Sequence, residues 1–211
     1  MGSAATSTYA LLRADVDTLM GLQTSPDGPQ RSTDANEPLL RAAVVLLVTA
    51  WENYVEQAVA EAFEHVMTIN DDPRNLSPHL QGAIVRAAKA DVWTVTGDNW
   101  RTIVADEVAD LIGKLNNAGS GKVDGLIKMA LGIDSFLSRV SWPAYPPIDV
   151  GAELRSLVNE VRGEIVHKGR TPSALNVPGL EQWRSFVDKL VAESDVRVAS
   201  EVSAIWGSSP W

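Results

Sequence analysis

The sequence predicts an all-α protein built as an antiparallel helical bundle. Apolar residues recur at intervals of three and four through most of the 211-residue chain, which is the period of a helix with one buried face. No stretch of five or more residues alternates between apolar and polar in the way that a half-buried strand does. Clusters of Pro, Gly, Asn and Ser divide the chain into helix-length segments.

The first half of the chain contains the strongest helical pattern. A helix is predicted over 6–22, and the turn-forming residues 24–38 then predict a mobile loop. The next helix is predicted over 38–69, with Asn36 as its cap and Pro38 in its first turn. Its apolar residues cover more than one face, so we expect it at the centre of the bundle.

Further helices are predicted between the later breaks. They cover 78–92, 99–117, 122–131, 133–141, 150–168 and 179–206. Ser77 before Pro78, and Asp98 before the next helix, are the predicted N-caps. Gly169 is placed to end the helix over 150–168. The predicted organisation is an N-terminal helix and mobile loop over 1–37, a helical domain over 38–206 and a disordered tail over 207–211.

Composition excludes several classes of site. The chain has no Cys and three scattered His, so we expect no disulfide scaffold, no metal site and no cofactor. The longest apolar run, 42–50, is short of the about 20 residues that a membrane span needs, and no signal peptide is visible. These features predict a cytoplasmic protein with no membrane partner.

The charge of the chain is uneven. The formal net charge is −9, but residues 114–170 hold eight Lys and Arg against six Asp and Glu, a balance of +2. An acidic protein is poorly suited to non-specific DNA binding, which depends on neutralising many phosphates, and we expect no DNA partner. One small basic cleft is still compatible with this charge. Residues 118–123, AGSGKV, depart from the phosphate-loop pattern and predict a helix–helix turn.

The segment LRSLVNEVRGEIVHKGR, residues 154–170, is the candidate site. It places Arg162 and His167 five positions apart near the end of an amphipathic helix. Arg presents a permanently charged fork to phosphate oxygens, and His exchanges a proton near neutral pH. Together they suffice for metal-free RNA cleavage, in which His takes the proton of a ribose 2′-hydroxyl and Arg stabilises the phosphate.

Spacing alone does not single out this pair. Arg74 and His79 show the same spacing in a predicted loop, and cationic residues near 167–170 also suit the carbonyl end of a helix. Five residues of an α-helix turn by about 500°, which leaves the side chains of Arg162 and His167 about 140° apart. Either the last turn unwinds before Gly169, or a second copy of the helix completes the site in a symmetric dimer.

The segment RGEIVHKG, preceded by LRSLVNEV, resembles the signature helix of the HEPN superfamily, whose Arg-x4–6-His motif marks metal-independent RNases. Residues 41–63 and 121–142 are similar to the first core helix and the helical insert of its RiboL-PSP-type members. The resemblance implies a four-helix core with additional short helices, and an endoribonuclease that acts as a homodimer on RNA. It also implies a role as a growth-inhibiting toxin with an antitoxin protein as partner, in phage defence or in RNA processing.

The same resemblance implies roles for individual residues. Arg162 and His167 are the catalytic pair, Glu52 supports them from the first core helix, and the cationic residues Lys168 and Arg170 contact RNA phosphates. The residue after Arg is usually polar in active members, whereas here it is Gly163, and Glu164 is the candidate substitute.

Two alternatives to the nuclease follow from other features. Gly163 and the acidic composition favour a catalytically degenerate module that dimerises or binds a partner. The Trp residues near the C-terminus, Trp206 and Trp211, suit an unrelated helical scaffold with an aromatic interface.

Overall fold

The computed structural model describes residues 2–22, 33–173 and 175–211, the side chains of residues 33–36 excepted. Over these residues the protein is all-α and contains no strand, only an isolated bridge between Trp142 and Tyr145. The predicted fold class is therefore confirmed. In chain order, the helices are α1 Ala4–Gly21, α2 Thr33–Ile69, α3 Pro78–Ala90, α4 Asn99–Gly113, α5 Ser120–Leu131, α6 Pro147–Arg155, α7 Arg162–Lys168 and α8 Val177–Trp206.

The long helix α2 is the centre of the bundle, as predicted. It contacts α1, α4, α5, α7 and α8. Three of its side chains, those of Leu47, Trp51 and Tyr54, are almost completely buried. Apolar residues on nearly all of its faces explain this position, because a helix that is apolar all round must be covered on all sides.

The start of α2 differs from the prediction. The helix begins at Thr33, so Pro38 lies inside it and Asn36 does not cap it. Pro38 has no N–H and removes one backbone hydrogen bond, a loss that burial along the rest of this 37-residue helix offsets. Of the predicted loop, residues 24–32 lie outside the described residues, whereas the rest is helical.

The three caps predicted for the later helices have different outcomes. The Ser77 hydroxyl accepts a hydrogen bond from the Leu80 N–H at 3.2 Å, at the start of α3. Gly169 adopts the left-handed conformation, with φ +62°, and ends α7. Asp98 precedes α4 but makes no capping hydrogen bond; its carboxylate lies 4.0 Å from the Arg101 guanidinium instead.

Several predicted helices have different bounds. The helix predicted over 99–117 stops at Gly113, and α5 begins two residues earlier than expected. The helix predicted over 133–141 is only a 3₁₀ turn, Phe136–Arg139, because Ser135 takes a left-handed conformation with φ +51°.

The N-terminal helix shares the core of the bundle. The Tyr9 hydroxyl donates to the Asp188 carboxylate of α8 at 2.6 Å, and the Arg13 Nε donates to the same oxygen at 2.9 Å. Burial and the Asp188 carboxylate both raise the pKa of Tyr9. The predicted division at residue 37 therefore does not separate two cores.

The C-terminal residues also pack on the bundle. Trp211 is partly buried against the core, and its carbonyl oxygen accepts a hydrogen bond from the Ser209 hydroxyl at 2.7 Å. This differs from the disordered tail expected over 207–211, because an aromatic side chain at the very end of the chain finds apolar surface to cover. Along the part of the chain that the structure describes, none of the helices has the length and apolar character of a membrane span.

The contact between α1 and α8 gives a first prediction. Replacing Asp188 with Ala removes the acceptor of the buried Tyr9 hydroxyl, and we expect the free energy of unfolding to fall by about 1–3 kcal/mol. Asp188→Asn keeps an acceptor oxygen and should lose less. Urea denaturation of the two variants beside the wild type measures the difference. Equal stability of Asp188→Ala and the wild type would contradict this account of how α1 is held.

Candidate functional site

Arg162 and His167 lie on one short, regular helix. Residues 162–168 are α-helical throughout, so the last turn does not unwind before Gly169. At about 100° per residue, the two side chains therefore leave the helix about 140° apart. The structure therefore contradicts the first of the two arrangements that the sequence left open, in which the last turn unwinds.

Both side chains are without partners among the described residues. Arg162 is half-buried and His167 is exposed, and neither makes a side-chain hydrogen bond or ion pair there. An Arg without a carboxylate retains its full charge and all its donors for a ligand. The pair is thus available for an anionic substrate.

The competing pair is already engaged. The Arg74 guanidinium binds both oxygens of the Asp72 carboxylate at 2.5 to 2.9 Å and lowers the pKa of that carboxyl to about 2. The His79 Nε2 lies 2.7 Å from the Glu107 Oε1. The two Arg–His pairs have the same spacing in the sequence, but in the structure only the pair on α7 is without partners among the described residues. Arg162 and His167 therefore remain the candidate pair.

Glu164 is placed differently from the expectation. Its carboxylate forms an ion pair with Lys168 one turn later, and it contacts neither Arg162 nor His167. Residues three and four apart are neighbours on a helix, so Glu164 lies near both His167 and Lys168, and its carboxylate pairs with Lys168. The charge of Lys168 is therefore partly balanced by Glu164. The exposed side chain of Arg170, in contrast, has no hydrogen-bond partner among the described residues.

Glu52 does not reach the Arg–His pair either. Its Oε1 accepts a hydrogen bond from the Asn117 backbone N–H at 2.7 Å, in the turn between α4 and α5. The neighbouring Trp51 Nε1 donates to the Ala118 carbonyl in the same turn at 2.8 Å. Asn117 has a positive φ of 66°, so these two bonds hold a tight turn in place. Glu52 thus has a structural role that its position beside Trp51 did not reveal.

A π-helical segment, which the sequence does not predict, lies just before Arg162. It covers Ser156–Val161, between α6 and α7. The helix is therefore continuous from Pro147 to Lys168, with a change of pitch inside it. Asn159 within it accepts a hydrogen bond from the Asn117 Nδ2 at 3.2 Å. Such segments often occur at functional sites, but a single extra residue per turn leaves no periodic signal that could have predicted it.

No metal cluster is visible in the residues that the structure describes, where no three His, Asp or Glu side chains gather.

Comparison with known proteins gives one match. The family model described as RiboL-PSP-HEPN matches residues 17–198, which is most of the chain. No curated protein and no solved structure matches the chain significantly. The family model thus covers α2 through most of α8, including the helix that bears Arg162 and His167.

The role of Glu52 can be tested by stability. Replacing it with Ala leaves the Asn117 N–H without an acceptor, and we expect a loss of about 1–3 kcal/mol in the free energy of unfolding. Glu52→Gln retains an acceptor oxygen and should stay closer to the wild type. Thermal and urea denaturation measure both variants, and an unchanged stability of Glu52→Ala would show that the turn does not need this bond.

Proposed function

Since the chain belongs to the RiboL-PSP-HEPN family, we propose that it is a metal-independent endoribonuclease, with Arg162 and His167 as its catalytic residues. The observation that supports this most directly is that both side chains of the family motif are without partners among the described residues. The other Arg–His pair of the same spacing is bound to carboxylates.

The reaction follows from the chemistry of these two side chains. The His167 imidazole removes the proton of a ribose 2′-hydroxyl, and the 2′-oxygen attacks the adjacent phosphorus. The bond from phosphorus to the 5′-oxygen breaks, and an imidazolium returns a proton to this leaving oxygen. The products are a 2′,3′-cyclic phosphate and a 5′-hydroxyl. Arg162 stabilises the charge that develops on the phosphate oxygens, and the need for a 2′-hydroxyl makes RNA the substrate.

A homodimer is part of the proposal. Because Arg162 and His167 point about 140° apart on their own helix, the Arg162 of one protomer and the His167 of the other would meet across a two-fold axis. A symmetric interface brings the same surface of both protomers together, so α7 would face its own copy. Two imidazoles in one cleft would also supply both the base and the acid.

The cellular role proposed for this nuclease is that of a growth-inhibiting toxin or a defence or RNA-processing enzyme, with an antitoxin protein as a further partner. Gly163 supports a second candidate function, a catalytically degenerate module that dimerises or binds a partner. A Cβ built on Gly163 meets no atom within 4 Å, so no packing requirement explains the absence of a side chain at this position.

Cleavage of total RNA in EDTA tests the nuclease. The wild type should cleave without metal, and His167→Ala should lose about 10²–10⁴-fold in rate because the proton transfer is lost. His79→Ala is the matched control, since it removes the His of the other Arg–His pair, and it should cleave like the wild type. Gel analysis of the fragments and their cyclic-phosphate ends gives the readout.

Each departure from that pattern has a distinct meaning. If His167→Ala cleaves as fast as the wild type, the catalytic assignment is wrong. If the wild type cleaves no RNA class but remains folded and dimeric, the binding module is the better description.

Substitution of Gly163 separates stability from catalysis. Gly163→Ala should raise the free energy of unfolding by about 0.5–1 kcal/mol, because Gly is a poor helix residue and the added methyl group has space. Gly163→Asn, which restores a polar residue after Arg162, should raise the cleavage rate above that of Gly163→Ala. Equal rates for the two variants would show that a polar side chain at this position gives no help to the reaction.

A further inference from the structure

A groove opens beside the helix that bears Arg162. It has a volume of about 390 Å³ and lies where the turn before α5 meets the end of α6 and the π-helical segment. Its lining residues are Asn117, Gly119, Ser120, Gly121, Lys122, Arg155 and Asn159. Two of the seven are cationic and none is acidic, in a chain whose net charge is −9. The groove therefore differs in charge from most of the protein.

The two cations of the groove are available to an anion. Arg155 is exposed and its side chain has no hydrogen bond or ion pair with the described residues. The Lys122 Nζ donates to the Asn116 carbonyl oxygen at 2.5 Å and to the side-chain oxygen of the same residue. These neutral acceptors fix the ammonium group without cancelling its charge, so an anion would not have to displace a carboxylate.

Three of the remaining lining residues, Asn159, Ser120 and Gly121, add hydrogen-bond donors. The Asn159 side chain accepts from Asn117 through its oxygen, which leaves its own NH₂ group free to donate. Ser120 and Gly121 open α5, and Gly119 before them provides no capping side chain. The first N–H groups of a helix have no partners within the helix. Beside the two cations, these donors add to a site suited to phosphate oxygens.

The groove and the proposed catalytic residue belong to one continuous helix. Arg155 and Asn159, which line the groove, precede Arg162 by seven and three residues on the helix that runs from Pro147 to Lys168. Seven residues rise by no more than about 10 Å along a helix axis, and the wider turns of the π-helical segment shorten this distance. A strand whose phosphate lies at Arg162 can therefore reach the groove.

We propose that the groove binds a backbone phosphate of the RNA substrate next to the one that is cleaved, with Arg155 and Lys122 as its charged contacts. This proposal rests on the proposed function for its ligand, an RNA strand. The groove positions the strand along the helix and takes no part in the proton transfers.

Binding of an RNA that cannot be cleaved tests the groove. The probe is a mixed-sequence RNA of about 12 nucleotides, in the range that single-strand sites cover, with 2′-O-methyl groups throughout. Arg155→Gln and Lys122→Gln should each weaken binding by about 5- to 20-fold, as expected for the loss of a charged hydrogen bond. Each should also reduce the slope of log affinity against log salt concentration by about 0.7.

Lys89→Gln is the matched control. Lys89 is exposed on α3, lies outside the groove and has no partner among the described residues. The Lys89→Gln variant loses one positive charge, as the groove variants do, but the charge lies outside the groove. This variant should therefore keep the affinity and salt slope of the wild type. Circular dichroism and thermal denaturation check that all three variants fold. With cleavable RNA, the groove variants should raise KM and leave kcat near the wild-type value.

The outcomes separate this proposal from the nuclease. If the groove variants weaken RNA binding but the wild type does not cleave, the groove stands and the nuclease fails. If the wild type cleaves and the groove variants bind like Lys89→Gln, the nuclease stands and the groove fails. A second binding experiment uses inorganic phosphate as the probe. If phosphate binds in a way that depends on Arg155 but the RNA does not bind, the proposal that the groove is an RNA site is wrong.

Discussion

Two adjacent side chains on the central helix organise the functional end of the bundle. Trp51 and Glu52 of α2 bind the turn between α4 and α5 through its Ala118 carbonyl and its Asn117 N–H. The Asn117 side chain then donates to Asn159 in the π-helical segment, three residues before Arg162. A chain of hydrogen bonds thus runs from the most buried helix to the candidate site. This chain links α2, which is packed on nearly all sides, to the turn, the groove and the helix that bears Arg162.

The regular helix between Arg162 and His167 imposes the second constraint. A helix sets the directions in which side chains five positions apart leave the backbone, and here these directions differ by about 140°. In the proposed reaction this angle favours a phosphate held between the Arg162 of one protomer and the His167 of the other. Side chains without partners suit this arrangement. An Arg or His bound to a carboxylate on its own chain would have to break that bond before it contacted a substrate held between two protomers.

Much of the fold could be predicted from the sequence, and the failures have physical causes. The helical period identified nearly every helix, and the buried faces of α2 identified the centre, because both depend on apolar residues that recur regularly. The predicted start of α2 is wrong because a Pro is typical of a first helical turn, whereas here the helix begins five residues before Pro38. The Arg162–His167 pair could be proposed from residue types and resemblance. The true partner of Glu52 and the π-helical segment could not, because each depends on a tertiary contact that has no local pattern.

The structure also bears on the simpler explanation of the cationic residues after Val166, that they only stabilise the carbonyl end of a helix. Two carbonyls of that end already have partners: the Gly169 N–H bonds to the Ile165 carbonyl, and the Arg170 N–H bonds to the Glu164 carbonyl. An exposed charge near a helix end contributes about 0.3–1 kcal/mol, a small part of the stability of a domain. The side chains of His167 and Arg170 are exposed and make no hydrogen bond or ion pair with the described residues. Such side chains agree better with contact to an anionic ligand, as the proposed function requires, than with a role in the stability of α7 alone.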